Sequence, residues 1–252
     1  MGALFHAISA ETLKMRRTLV LRLAVFAPLM IVLLQFGIHT VRGDEVGEAH
    51  GNPILGYLQI IFTLWTVVFL PFYASLVASL LADIEHRGQN WSFLLALPVD
   101  RHYLYAAKWA AGALLLLFST LVLWISTFST LLLVWLMRAD WHGAALPIGT
   151  LTKYAFLSLV VTALLFSIQM WISLRFRSFM VGLSVAITGI LINIVLLPHK
   201  PIMADSLDPW AIPAIALAPH SPYRLLAITW GISGGILIML AGSHFMSRRE
   251  YQ

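Results

Sequence analysis

Six stretches of the chain are apolar from end to end and free of Asp, Glu, Lys and Arg: 23–41, 54–82, 109–137, 154–174, 178–197 and 225–247. Crossing a bilayer takes about 20 apolar residues in a helix. The first and fifth stretches, of 19 and 20 residues, meet that length with nothing to spare, and the other four exceed it. β-Barrel strands would instead alternate in short segments of about ten residues. The pattern therefore predicts an all-α integral membrane protein with six transmembrane helices. Between the second and third stretches the pattern changes. From Arg87 to Leu97 a polar start is followed by Trp91, Leu94 and Leu95 at i, i+3, i+4 spacing, and Pro98 closes the run. That is a short amphipathic helix, too short to span and held between two spans.

Two further segments are neither span nor simple loop. Ahead of the first span, Leu4, Phe5, Ile8, Thr12 and Met15 share one helical face, with Glu11, Lys14 and Arg17 opposite. This predicts a helix lying in the membrane interface, its basic face toward headgroups or a partner. Between the fifth and sixth stretches, 198–223 holds six of the eleven prolines around the apolar run 210–218. Nine apolar residues cannot span, so a re-entrant or interfacial hairpin is expected there. The loop 39–53, with Asp44, Glu45 and Glu48 among glycines, reads as a solvated turn. The layout is one transmembrane domain over 1–252: interfacial helix 1–18, spans one and two in 19–82, a coupling loop 83–103, spans three to five in 104–197, the external element 198–223, and span six with its tail in 224–252.

Composition agrees with this class. The chain is 60% hydrophobic and 11% charged, against about 25% charged in soluble domains. Its Lys and Arg residues fall 11 on the side of the termini and the 83–103 loop, and 5 on the other. The positive-inside rule then places both termini in the cytoplasm of a bacterial cell, in the multi-pass geometry of a cytoplasmic-membrane protein. The net charge of +5 is topogenic, facing anionic lipid, and calls for no nucleic acid. The absence of cysteine excludes disulfides and thiolate metal sites. No cleaved leader is expected, because Gln35, His39 and Arg42 follow the first apolar run instead of a small-residue cleavage site.

Catalytic chemistry is not visible in the sequence. There is no GxxxxGK[ST] loop for nucleotide, no HExxH and no GxSxG, so no enzyme activity and no cofactor are expected in this chain. The spans carry no Asp, Glu, Lys or Arg, although ion-coupled carriers keep ionisable groups in the bilayer to bind the coupling ion. Energy for any transport must then enter from outside the chain. Gln35, Gln59, Gln169 and Asn193 bring side-chain amides into the spans. They are candidates for a translocation path, with interhelical hydrogen bonding as the alternative use. Trp210 and Pro213 are candidates for an external gate.

The layout resembles the permease subunit of an ABC exporter of the ABC-2 class. Two stretches carry a closer likeness. Residues 8–19, ISAETLKMRRTL, followed by 23–29, LAVFAPL, are similar to the opening of lantibiotic self-immunity permeases. Glu85-His86-Arg87, then FLLALPVDR over 93–101 and Tyr105-Ala-Ala-Lys108, are similar to an acid-then-LPxxR…K stretch of the same group. The resemblance implies a separate ATPase dimer that carries ATP and magnesium, a second permease subunit, and export of an amphipathic or antimicrobial peptide. It also implies that Glu85, Arg87, Trp91, Leu94, Leu95 and Arg101 form the ATPase-coupling element, with Glu85 paired to a basic group on the N-terminal helix. Alternatives are another cargo (a drug, a lipid or a polysaccharide) and a non-transporting regulatory membrane subunit.

Overall fold

A computed structural model describes residues 2–15, 18–42, 53–87, 101–138, 145–176, 178–196 and 203–247. The predicted coupling helix, with Trp91, Leu94 and Leu95, lies outside the described residues. Among those described the fold is entirely helical. Helix α1 covers Gly2–Met15 and α2 covers Leu19–Arg42; α3, Pro53–Leu64, runs through a π turn, Trp65–Phe69, into α4, Leu70–Arg87. Then follow α5 (Arg101–Met137), α6 (Ile148–Val161) and α7 (Ala163–Arg175), with α8 at Phe179–Leu196. A 3-10 turn, Met203–Leu207, and the short α9, Ile212–Leu217, precede α10, Arg224–Ser247.

Five helical segments are long and apolar enough to cross a membrane: α2, α3–α4, α5, α6–α7 and α10. The predicted fifth span folds as α8, which is apolar but only 18 residues long. At 1.5 Å per residue that is roughly 27 Å, just under the ~30 Å hydrocarbon core. Helix α5 errs the other way, with 37 residues and roughly 55 Å of length. That exceeds the apolar core by several turns, and the helix's two charged residues, Arg101 and Lys108, both fall within its first eight residues. Large apolar side chains such as Phe26, Leu121, Leu191 and Leu237 lie exposed on the outside of the bundle. In lipid such exposure costs nothing, since the solvent is itself apolar.

The second span is central, and its break has a local cause. Pro71 has no N–H and its ring crowds the preceding turn. The ladder ahead of it widens, so that the Leu70 N–H bonds the Trp65 carbonyl five residues back. Trp65, Tyr57, Phe62 and Tyr73 on this span are among the largest fully buried side chains.

Close helix crossings depend on missing side chains. A Cβ at Gly235 of α10 would stand 2.7 Å from the backbone of Ala163, and one at Gly231 would stand 2.8 Å from the Val161 carbonyl. The α6–α7 break at Thr162 lies at that crossing. Polar groups then join the helices. The Trp109 indole donates to Ser167 Oγ at 2.9 Å, which donates to the Gly235 carbonyl at 2.9 Å, linking α5, α7 and α10.

Candidate functional site

Charges from the N-terminal helix and from the middle of the chain meet at one end of the bundle. Glu11 and Lys14 sit three apart on α1, Glu85 sits near the C-terminus of α4, and Lys108 sits two turns into α5. They close a ring of alternating charge. Lys14 Nζ lies 2.9 Å from Glu11 Oε1 and 2.8 Å from Glu85 Oε1. Lys108 Nζ lies 2.7 Å from Glu11 Oε2 and 3.1 Å from Glu85 Oε1. Glu85 is wholly buried and Lys108 and Glu11 nearly so, whereas the Lys14 side chain is one-third exposed at 33%. Both lysines share one oxygen of Glu85, and its other oxygen, Oε2, is buried with no partner.

The ring answers an electrostatic requirement. An isolated ion in a low-dielectric interior costs several kcal/mol, and only a partner with good geometry offsets it. Two acids and two bases leave no net charge to bury. Burial lowers the Lys14 pKa, but hydrogen bonds from its ammonium to Glu85 and Glu11 outweigh this, and the net shift is upward.

The expected pairing of Glu85 with a base on the N-terminal helix is met by Lys14. The expected orientation of that helix is not. Glu11 and Lys14 turn toward the protein together with Met15 from the edge of the expected apolar face, while Leu13 stands 66% exposed. The charged face of α1 docks on α4 and α5 rather than on headgroups, because Glu85 and Lys108 need its charges more than water-facing lipid does. Lys108 and Glu11 were legible only in retrospect: Glu11 and Lys14 have i, i+3 spacing, and Lys108 closes the 105–108 stretch. Arg87 ends α4 and Arg101 begins α5, so the ring lies near the two helix ends that flank residues 88–100 in sequence. The same end is tied to α7, where His86 Nε2 lies 3.2 Å from the Ser173 carbonyl and Ser79 and Ser173 hydroxyls are 3.1 Å apart.

At the opposite end, 203–223 forms a cap. Ala211, Ile212, Pro213 and Ala216 are buried, with α9 packed on α6, α10 and the π turn. Asn193 Nδ2 donates to the Trp210 carbonyl at 3.0 Å, and Arg224 Nε donates to the Ala216 carbonyl at 2.9 Å. The Trp210 ring covers Gly189, where any Cβ would strike it. Asp208, half-buried here, has its carboxyl pKa raised by desolvation, only partly offset by the bond it accepts from the Trp210 N–H.

The four amide residues are dispersed. Gln59 lines a cavity beside the cap, Asn193 holds the cap, and Gln35 is buried in α2. Gln169 is buried in α7 with both amide atoms unbonded. Trp210 and Pro213 both belong to the cap. No group of three or more His, Cys, Asp or Glu suited to a metal ion occurs among the described residues.

Neither a curated protein nor a solved structure matches the chain. A family model described as ABC-2 family transporter protein matches residues 7–193, from α1 and its ring through most of α8. A multi-pass helical bundle with that match over well more than half its length belongs to the ABC-2 family of transporter proteins.

Proposed function

We propose that this chain is the permease subunit of an ATP-driven exporter in a bacterial cytoplasmic membrane. Its cargo is an amphipathic compound, with antimicrobial peptides of the lantibiotic kind first among candidates. Six spans with both termini cytoplasmic form a single transmembrane domain, which pairs with a second permease subunit and a separate ATPase dimer. Hydrolysis of ATP with magnesium belongs to that partner.

The observation that carries this reading is the buried ring. It ties α1, the end of α4 and the start of α5 into one unit near the helix ends that flank residues 88–100 in sequence. A force delivered there by an ATPase would move three helices together instead of bending one loop. Trp91, Leu94 and Leu95 are the apolar contacts of the coupling helix, seated in a groove of the ATPase, with Arg87 and Arg101 toward its acidic rim. Rocking of two such bundles then exposes the cargo path alternately to each side. The cap serves as the outer gate and, as a re-entrant element, descends to the π turn. An apolar wall punctuated by amides suits an amphipathic cargo better than a highly charged one.

Leu94→Asp tests the coupling. The variant should insert normally and bind the ATPase more weakly, with ATP hydrolysis no longer accompanied by transport. Unaltered transport with normal ATPase association would sink the coupling assignment. Deleting the permease and ATPase genes together should raise sensitivity to a membrane-active peptide. A deletion strain that tolerates such peptides but loses a surface glycan would favour polysaccharide export.

A further inference from the structure

We propose that the half-open cavity lined by α3, the π turn, α6 and the cap is a binding site, within one copy of the chain, for a single bulky apolar side chain or ring of an amphipathic solute. The identity of the solute rests on the export reading; the site itself does not. The cavity measures about 270 Å³. An apolar cavity of about 150 Å³ stays dry and takes up benzene, so this one has room for a ring of indole size.

Its lining is divided by polarity. Phe62, Val67 and Leu217 are buried and form an apolar floor. Thr66 is also on the floor, but its hydroxyl already donates to the Phe62 carbonyl at 2.7 Å. It therefore asks nothing of a ligand, and the floor behaves as hydrocarbon. The half-buried Gln59 brings an amide to the lining. Ser221 lines the cavity too, but its hydroxyl is out of reach of a solvent-sized atom, so the Gln59 amide is the polar group offered to a ligand.

The π turn is what makes the space. Its extra residue per turn widens the wall that carries Thr66 and Val67, and the cap lines the opening without filling it. A site of this shape selects an apolar group flanked by an amide or N–H. That is the chemistry of an aromatic or branched residue in a peptide, and of indole itself.

The test uses the full chain in lipid nanodiscs with 5-fluoroindole as probe, followed by fluorine NMR against empty nanodiscs. A saturable bound resonance is expected. Ala218→Leu, which fills the lining, should weaken it roughly tenfold or more, the scale on which one side chain's volume discriminates in an apolar pocket. Gln59→Leu should weaken it several-fold with the fold intact, and decides the question alone if Ala218→Leu does not fold. No saturable binding, or equal affinity in the folded variants, overturns the site. Reconstitution with the ATPase separates the two readings. Peptide export without probe binding overturns the site and spares the exporter; probe binding without export spares the site and overturns the exporter.

Discussion

Lys108 and Lys14 approach the same Glu85 oxygen yet should differ sharply in what they contribute. Lys108 is buried between two carboxylates, so Lys108→Met leaves an uncompensated buried acid, a loss of roughly 3–5 kcal/mol. Lys14 is one-third exposed and water can enter the space its side chain leaves, so Lys14→Ala should cost clearly less. Thermal unfolding in detergent measures both, and equal losses would mean that the ring is not closed as described. The pH dependence follows from the upward shift of Lys14. Its contribution is fully present below the unfolded value of 10.5 and is lost only as pH rises through the higher folded value. Protection of α1 from hydrogen exchange, corrected for intrinsic rate, should therefore hold steady from pH 7 to the ordinary lysine range and fall beyond it.

Helix crossings set which glycines matter. Gly231 and Gly235 of α10 press on the α6–α7 break, where an added methyl meets backbone that cannot rotate away. Gly235→Ala should cost about 1–3 kcal/mol by overpacking. Gly37 of α2 has nothing within 4 Å of an added Cβ, so Gly37→Ala should be neutral or stabilising by up to about 1 kcal/mol. Unfolding of the two variants side by side checks the crossing, and a reversed order would contradict it. The cap depends on a comparable detail. Asn193→Ala removes the donor to the Trp210 carbonyl, and the 203–217 segment should become more accessible to protease while α10 does not. Of these elements, the apolar helices could be read directly from hydropathy, because a run of 20 or more apolar residues has few other uses. The π turn could not: Pro71 announces a break, but whether the chain kinks, unwinds or widens depends on the neighbours packed around it.

Across the whole molecule, charge and length together define two unlike ends. One end gathers the ring and the helix termini on either side of 88–100; the other carries the cap. The chain has no cysteine, so single cysteines report sidedness without background. A cysteine at Met203 should react with an impermeant maleimide applied to intact cells, and one at Tyr103 only after permeabilisation. Both positions are exposed. The opposite pattern would invert the proposed orientation.

Hydropathy and charge by themselves determined the class of the protein, the position of its apolar helices and the amphipathic N-terminal helix. These are properties of local composition and period, and a bilayer enforces them strongly. Which face of each helix turns inward was beyond that information, since an apolar face is equally acceptable to lipid and to protein. Hence the charged face of α1 was expected outward and is found inward, where Glu85 and Lys108 supply its counter-charges. The same holds for the four amides, which look alike in sequence. Only packing decided that Asn193 fastens the cap while Gln59 lines a cavity. A polar atom takes its role from whichever partner the tertiary fold brings within about 3 Å, and no local pattern encodes that neighbour.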